Sequence, residues 1–268
     1  MKMNMLVCVK QVPDTTEIKI NPETNTLIRE GVPNVVNPYD AYALETAARV
    51  KDKHPGSKIV VISMGPKQAK NALKECLSVG ADRAYLVSDR VFGGSDTLAT
   101  SYVLFGAVKK LEELEGKFDL IFCGKQAIDG DTAQVGPELA EYLDWPQITY
   151  GIEVSVEEDL VKVKRETDAG YNLTAAAMPC LLTITKPFFE PRYPTIKSKV
   201  AAHRAEIPTL TSADFALDTT RCGLKGSPTK VKKIYVPAVK GGGTILCESD
   251  CAASAKKLVA LLADAAVI

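Results

Sequence analysis

"FDLIFCGKQAIDGDTAQVGPELAE" occupies residues 118–141 and joins two patterns. The apolar run "FDLIF" at 118–122 is typical of a buried strand, and the stretch closes on residues that favour a helix. Glycines, acidic residues and a threonine stand between the two. A strand followed by a polar turn and a helix start is where α/β proteins hold phosphate groups. The stretch therefore predicts an α/β fold with a phosphate-binding turn.

The first two-thirds of the chain repeats this alternation of strand and helix. Further strands are predicted at 5–10 ("MLVCVK"), 58–65 ("KIVVISMG") and 83–89 ("RAYLVSD"), and helices after Asn37-Pro38, after Pro66 and after "FGGSDTLATS" at 92–101. Asn37 is the predicted N-cap of the first helix, and Gly80 the predicted C-terminal cap of the second. Helices of this length between strands favour parallel pairing through right-handed crossovers, so a parallel sheet covered on both faces is predicted.

The pattern changes after residue 146. Residues 147–166 alternate as an antiparallel β-hairpin with a turn near 157–159, and 179–186 is a further predicted strand. Two short strands around a turn are also predicted at 17–30. From Glu190 onward the helix and strand signals weaken, until a final helix from Cys251 closes the chain. The predicted architecture is one α/β domain with a β-hairpin and an extended C-terminal arm.

Composition and charge argue against several classes of protein. The 33 basic and 33 acidic residues balance, which argues against a broad nucleic-acid surface. No apolar run approaches the roughly 20 residues of a membrane span. The first residues lack the pattern of a signal peptide, so a cytoplasmic location is expected. The seven scattered cysteines form no CxxC pair and are expected to be buried reduced thiols.

The motifs of several enzyme classes are also missing from the sequence. There is no GxGxxG after a strand and no GxxxxGK[ST], so neither an ordinary dinucleotide-binding dehydrogenase nor a Walker nucleotide hydrolase is supported. His54 and His203 are the only histidines and stand apart, which leaves no Ser–His–Asp or metal-ligand set to assemble. The chain is expected to bind a ligand rather than to supply acid–base chemistry.

Polar residues follow four of the predicted strands, at the sheet edge where α/β proteins bind ligands. These strand exits are residues 8–10, 64–66, "GGSDTLATS" at 93–101 and "GKQAIDGDTAQVG" at 124–136. Asp96-Thr97 and Asp131-Thr132 are predicted to cap helices whose free amides would face a ligand. Plain helix capping is the alternative at both places, and the residues alone leave the two interpretations open.

Three longer motifs carry a resemblance to a known family. "VNPYDAYALE" at 36–45, "GKQAIDGDTAQVGPELAEYLDWPQ" at 124–147 and "EPRYPTI" at 190–196 resemble the β subunit of electron-transferring flavoprotein. "LVCVKQVPD" at 6–14 and "SMGP" at 63–66 belong to the same pattern, and the similarity covers nearly the whole chain. The resemblance implies an adenine-nucleotide α-hydrolase-like (Rossmann-like) fold and an α-subunit partner that carries its own FAD.

The resemblance also implies a nucleotide held at the strand exits. The cofactor-binding positions carried over by motif are Cys8, Asn37, Pro38, Tyr39, Asp40, Met64, Gly124, Lys125, Gln126, Ala127, Ile128, Asp129, Gly130, Asp131, Thr132, Ala133, Gln134 and Val135. No catalytic residue and no metal ligand is expected, because a flavin itself performs the chemistry that the protein tunes.

Two classes exist within this family. In one, the β subunit holds a structural AMP and the protein relays electrons. In the other, it binds a second FAD, takes hydride from NADH and bifurcates the electrons to ferredoxin and, through the α-subunit FAD, to an acyl-CoA dehydrogenase-like partner. "GGSDTLATS" and "DGDTAQVGPELAE" at 129–141 resemble the bifurcating class, and the first of them adds Asp96, Thr97 and Thr100 to the expected FAD site. The alternative is that Asp96 only caps its helix.

The resemblance divides the chain into a nucleotide-binding domain at 1–189 and, at 190–268, a recognition loop with a C-terminal arm that packs on the α subunit. Ile196 is the expected apolar anchor of the docking loop, and Lys197, Lys199 and Arg204 would steer an acidic partner. "ETDAGYNLTAAAMP" at 166–179 departs from the family pattern, because Ala169 replaces a glycine. The competing class is a universal-stress-type nucleotide-binding regulator, against which "EPRYPTI" and the long tail argue.

Overall fold

A long mixed sheet organises the chain in the computed structural model, which describes residues 1–14, 33–232 and 241–268. The described strands are β1 (Asn4–Cys8), β2 (Gln11–Pro13), β3 (Asn34–Val36), β4 (Lys58–Met64), β5 (Arg83–Val87), β6 (Leu120–Gly124), β7 (Gln147–Glu157), β8 (Leu160–Thr167), β9 (Gly170–Ala177), β10 (Cys180–Ile184) and β11 (Thr209–Leu210). The helices are α1 (Pro38–Lys53), α2 (Lys70–Val79), α3 (Thr97–Glu115), α4 (Val135–Leu143), α5 (Ile196–Arg204), α6 (Gly223–Gly226) and α7 (Cys251–Asp264). The hairpin predicted at 17–30 lies outside the described residues.

Within the described residues, nine strands form one sheet in the order β11-β5-β4-β1-β6-β10-β7-β8-β9, and β2 pairs with β3 separately. The strands from β11 to β7 in that order are parallel, as the alternation of strands and helices predicts. The predicted hairpin is confirmed as β7 and β8, which turn at residues 158–159. Strand β9 at 170–177, which was not predicted, extends the hairpin as a third antiparallel strand.

Helices cover both faces of the parallel part, because its strands are apolar on both sides. One core layer lies between the sheet and helices α1 and α2, with Leu44 and Leu73 fully buried in it. The other lies under α3 and α4 and includes Leu111 and Leu139. The predicted Rossmann-like α/β fold is therefore confirmed.

The chain divides into two units, residues 1–232 and 233–268. Helix α5 and strand β11 belong to the first unit, so this division falls later than residue 189. The boundary predicted at 189 separates a nucleotide-binding part from a partner-binding part, and that functional division stays a prediction. In the second unit, α7 is capped by the Asp250 side chain, which accepts the Ala253 N–H at 2.8 Å. The predicted final helix is confirmed from Cys251 to Asp264.

The cysteines are partly as predicted. Five are buried and carry no disulfide, but Cys247 and Cys251 are exposed, so the expectation of buried thiols is wrong for these two. In the described ranges, no helix has the length and apolarity needed to cross a membrane.

Candidate nucleotide-binding site

The sheet places a crevice between the ends of β1 and β6. These strands are neighbours in the sheet. From β1 the chain adds β4 and β5 on one side, whereas β6 and β10 lie on the other side, so the strand order reverses between β1 and β6. Ligands of doubly wound proteins bind outside the carboxyl ends of strands at such a switch point. Cys8 and Cys123, directly opposite each other in the β1–β6 register, are buried at this edge. The crevice is therefore bounded by the chain leaving Cys8 and the chain leaving Gly124.

Asp40 holds the two strand exits together. Its Oδ2 accepts the backbone N–H of Lys10 at 2.7 Å, and its Oδ1 accepts that of Gly124 at 3.1 Å. Burial raises the pKa of the Asp40 carboxyl to about 7, against the opposing effect of these donors. Because both oxygens bind backbone amides, Asp40 serves to fix the spacing of β1 and β6.

Asn37 begins α1, as predicted, but its side chain does not cap that helix. Its Nδ2 instead donates to the Gln126 carbonyl at 2.8 Å, and its Oδ1 accepts the Ile128 N–H at 3.1 Å. Asn37 therefore occupies the predicted N-cap position of α1, but its side chain, which both donates and accepts, satisfies two groups of the distant turn instead of the amides of that helix. Pro38 and Tyr39 follow in the first turn of α1, with Pro38 exposed and Tyr39 half-buried.

The turn from Gly124 to Gln134 has an unusual backbone. The Ala127 carbonyl accepts the N–H groups of Gly130 and Asp131, and the Gln126 side chain donates to Asp131 Oδ1 at 2.7 Å. Asp131 and Ala133 adopt left-handed φ values of 53° and 55°. Non-glycine residues held in this region carry strain, which concentrates at ligand-binding sites.

Helix α4 begins at Val135, four residues after Asp131. The prediction that Asp131 and Thr132 cap this helix is therefore wrong. Their side chains are exposed in the turn that precedes it. In the part of the chain that the structure describes, the amides of residues 132–136 donate to no carbonyl or side chain. Consecutive unpaired amides at a helix start form a ready site for an anion.

Helix α3 begins beside this turn. Asp96 caps it, because its Oδ1 accepts the Ala99 N–H at 3.0 Å. Its Oδ2 also accepts the N–H of Thr229, which lies outside the helix, at 2.9 Å. The capping predicted for Asp96 is thus confirmed, while its assignment to a cofactor stays a prediction. Among the described residues, the amides of Thr97 and Leu98 have no acceptor.

Side chains join the starts of α3 and α4. Thr97 Oγ1 lies 3.1 Å from Glu138 Oε1 and 3.3 Å from Gln134 Oε1. Ser101 donates to Glu138 Oε2 at 2.9 Å. Glu138 therefore bridges the starts of the two helices. Thr100 lies half-buried in the same first turn of α3.

Two lysines supply positive charge around the turn. Lys10 Nζ binds the Asp129 carboxylate at 2.7 Å and 2.9 Å, and Lys125 Nζ lies 5.1 Å from the centre of the Tyr150 ring. Lys125 was a predicted cofactor-binding residue, whereas Lys10 and Ser101 were predicted only as members of the strand exits at 8–10 and 93–101, and no role was predicted for Glu138. The signal for Lys10 was its place two residues beyond the first strand.

The structure brings most of the predicted site residues together. Those of the first strand exit, of the start of α1 and of the turn at 124–135 meet at the β1–β6 crevice, and Thr97 joins them through Gln134. Met64 ends the neighbouring strand β4 and is half-buried. Ile196, Lys197 and Lys199 are exposed at the start of α5, away from these contacts.

The donors of this site fit a phosphate-containing ligand. Two helix starts present free amides, two lysines stand nearby, and the acidic side chains Asp40, Asp96 and Asp129 are already engaged by amides or by Lys10. The fold is that of the doubly wound α/β proteins, which bind their ligands at this edge of the sheet.

Comparisons with known proteins identify the family of the chain. Residues 24–215 match the family model described as the electron transfer flavoprotein domain. The chain is 54% identical over 250 residues to the electron transfer flavoprotein subunit beta of Megasphaera elsdenii, covering 92% of this chain and 93% of that one. It is 45% identical over 266 residues to subunit CarD of the caffeyl-CoA reductase-Etf complex of Acetobacterium woodii, covering 99% and 100%.

The chain belongs to the electron transfer flavoprotein family and is a beta subunit of that family. A beta subunit implies an α-subunit partner. This assignment excludes the universal-stress-type regulator and confirms the resemblance carried by the three long motifs.

Proposed function

We propose that this beta subunit binds FAD in the β1–β6 crevice, with NADH as electron donor, and that its complex bifurcates electrons. One electron would pass to ferredoxin, and the other, through the FAD of the α subunit, to an acyl-CoA dehydrogenase-like flavoenzyme. A bound flavin supplies the hydride-accepting and electron-transferring chemistry. The contribution of this chain is to bind and orient the cofactor.

The observation that carries the proposal is the pairing of the two helix starts. The free amides of Thr97 and Leu98 stand beside those of residues 132–136, because Thr97 contacts Gln134 and Glu138. A pyrophosphate accepts more hydrogen bonds than a monophosphate, and two helix N-termini provide more donors than one. The similarity to CarD, whose name places it in a caffeyl-CoA reductase-Etf complex, also supports the proposal that this chain works with an acyl-CoA dehydrogenase-like partner.

In this proposal each element has a stated role. Asp40 fixes the distance between the exits of β1 and β6, and Asn37 fixes the turn against α1. Lys125 would offset part of the negative charge of the phosphates, since Lys10 already neutralises Asp129. The exposed Asp131 is available to sugar hydroxyls. The side chain of Asp96 stays a helix cap, so its contribution comes through the amides that it leaves free.

A structural AMP is the second candidate, and Glu138 favours it. Its carboxylate lies between the starts of α3 and α4, where it would repel a second phosphate group. The hydroxyls of Thr97 and Ser101 already bind this carboxylate, which reduces the repulsion without removing it.

The proposed docking element is the exposed start of α5. Ile196 is 86% exposed, and Lys197 and Lys199 beside it are exposed as well. An apolar side chain ringed by cations suits a partner with an apolar pocket and an acidic rim.

Anaerobic turnover of the purified heterodimer tests the proposal. NADH, ferredoxin and an acyl-CoA dehydrogenase with its enoyl-CoA substrate are supplied together, and ferredoxin reduction is followed by absorbance. Bifurcation predicts that ferredoxin is reduced only when the enoyl-CoA acceptor is present. Transfer to the dehydrogenase with no reduction of ferredoxin would contradict it and favour a simple relay.

A further inference from the structure

The structure contains an ion-pair cluster, built around one buried carboxylate, that lies away from the nucleotide crevice. Glu45, in the middle of α1, is only 4% exposed. Its carboxylate accepts Arg192 Nε at 2.8 Å and Arg192 Nη2 at 3.3 Å, and it also accepts Arg49 Nε at 2.8 Å. Arg192 Nη2 reaches Asp52 at 2.8 Å as well. The guanidinium therefore binds two carboxylates of one helix.

This cluster joins two of the motifs that define the family resemblance. Glu45 ends "VNPYDAYALE", and Arg192 stands inside "EPRYPTI", 147 residues later. A carboxylate is rarely buried unless it is paired and fully hydrogen-bonded. Here its main partner comes from a segment between β10 and α5 that has no regular secondary structure. The pairing thus ties an irregular segment to a rigid helix.

Arg192 is held through its backbone as well as its side chain. The Arg192 N–H donates to Glu45 Oε2 at 3.1 Å. Two neighbours add contacts to α1, since Arg49 lies 3.9 Å above the Phe189 ring and the Tyr42 hydroxyl lies 3.1 Å from Glu190 Oε2. The segment before α5 is therefore fixed to α1 at residues 189, 190 and 192.

The far end of α5 is fixed to a different helix. Lys74 Nζ, on α2, donates to the His203 carbonyl at 2.7 Å, and Lys70 Nζ donates to the Ile207 carbonyl at 2.7 Å. Ile196 lies between these two attachments, four residues after Arg192. Its exposed side chain is consequently held at a defined position in spite of having few neighbours of its own.

We propose that Arg192 is a positioning residue for electron transfer. By binding Glu45 and Asp52 with its fork of donors, it presents the Ile196 segment to the acceptor flavoenzyme in a docking-competent conformation. This inference rests on the proposed docking function. The fork geometry is the reason that the residue is arginine, because a lysine ammonium cannot bind both carboxylates in this planar arrangement.

The first measurement needs no acceptor. Hydrogen exchange of the peptide covering residues 187–199 is compared in the wild-type heterodimer and in the Arg192→Gln, Arg192→Lys and Lys53→Gln heterodimers. Lys53 is the matched control, since it is exposed near the end of α1 and makes no ion pair in the described part of the chain. Exchange should accelerate about tenfold in Arg192→Gln, less in Arg192→Lys, and not at all in Lys53→Gln.

The second measurement follows transfer to an acyl-CoA dehydrogenase as the concentration of that enzyme is varied. Arg192→Gln should raise the KM for the dehydrogenase about tenfold while NADH-dependent flavin reduction keeps its wild-type rate. A Glu45→Gln/Arg192→Met variant removes both charges without leaving a buried unpaired carboxylate, and it should show the same rise if Arg192→Gln folds poorly. Ile196→Ala serves as the reference for lost docking.

The outcomes separate the two ideas. Unchanged exchange in Arg192→Gln overturns the positioning role. So does accelerated exchange with a wild-type KM when Ile196→Ala itself raises the KM. A wild-type KM in Ile196→Ala overturns the docking function, and this inference with it.

Discussion

Replacing Gly124 with alanine should damage the nucleotide site by a calculable amount. A Cβ at position 124 would lie 2.7 Å from both the backbone carbonyl carbon and the Cβ of Tyr39, and it would also overlap Asp40 Oδ1. These atoms belong to the first turn of α1, so the clash cannot be relieved by moving one flexible side chain. Overpacking of this kind costs about 1–3 kcal/mol, and the upper end applies here because backbone must move.

A loss of about 3 kcal/mol lowers the melting temperature of a domain of this size by roughly 6–12 °C. The displaced helix start also separates Asp40 from the Gly124 amide, so the beta-subunit cofactor should dissociate first. Gly130→Ala is the matched control in the same turn, since no atom lies within 4 Å of the added carbon. Both heterodimers are compared by calorimetry and by cofactor retention on a desalting column. The reasoning would be refuted by a Gly124→Ala protein that matches Gly130→Ala in both assays.

Three further predictions follow from the described contacts. Burial raises the pKa of Asp40 from 3.8 to about 7, so the fold favours its neutral form, and wild-type stability should fall by up to about 4 kcal/mol as pH rises from 4 through 7. Asp40→Asn should remove this fall. The unfolding free energy of both proteins is measured by denaturant titration at pH 5 and pH 8, and an equal decrease between the two pH values in both proteins would contradict the assignment. A Thr97→Val/Thr132→Val heterodimer should lose the beta-subunit flavin, and NADH-driven ferredoxin reduction with it, while the α-subunit FAD remains; unchanged flavin content would show that these hydroxyls hold nothing. Expressed without its partner, the chain should aggregate, because Leu258 and Leu261 of α7 are 48% and 47% exposed. Elution as a monodisperse, cooperatively unfolding monomer would argue against that expectation.

The parts of the fold that depend on local patterns could be predicted from the sequence. Continuous apolar runs predicted the central parallel strands, the alternation at 147–166 predicted the hairpin of β7 and β8, and Asn37-Pro38 marked the start of α1. Strand β9 escaped prediction because its residues are almost all exposed, so that no alternation of buried and exposed positions marks it. The prediction that Cys247 and Cys251 are buried was wrong. It rested on the general tendency of thiols to be buried, which does not take into account the burial of an individual short C-terminal unit.

The candidate site was predictable in place but not in detail. The polar residues after the strands identified the correct edge of the sheet. Which atoms bind each other there depends largely on contacts between residues distant in the sequence, such as Gly124 with Asp40 and Asn37 with Gln126, which are 84 and 89 residues apart. Local rules correctly placed Asn37 at the N-cap of α1 but did not reveal that its side chain binds a remote turn. They assigned Asp131 to helix capping, whereas it adopts a left-handed backbone four residues before α4. The Arg192–Glu45 pair was likewise beyond any local pattern.

The cofactor content of the purified heterodimer tests the central claim most directly. After anaerobic purification without added nucleotide, the cofactors are released with acid and separated by chromatography. If the two adjacent helix starts of the beta subunit bind a pyrophosphate, we expect two FAD per heterodimer and essentially no AMP. One FAD and one equivalent of AMP would contradict the bifurcating assignment. The beta subunit would then hold a structural AMP in a flavoprotein that only relays electrons.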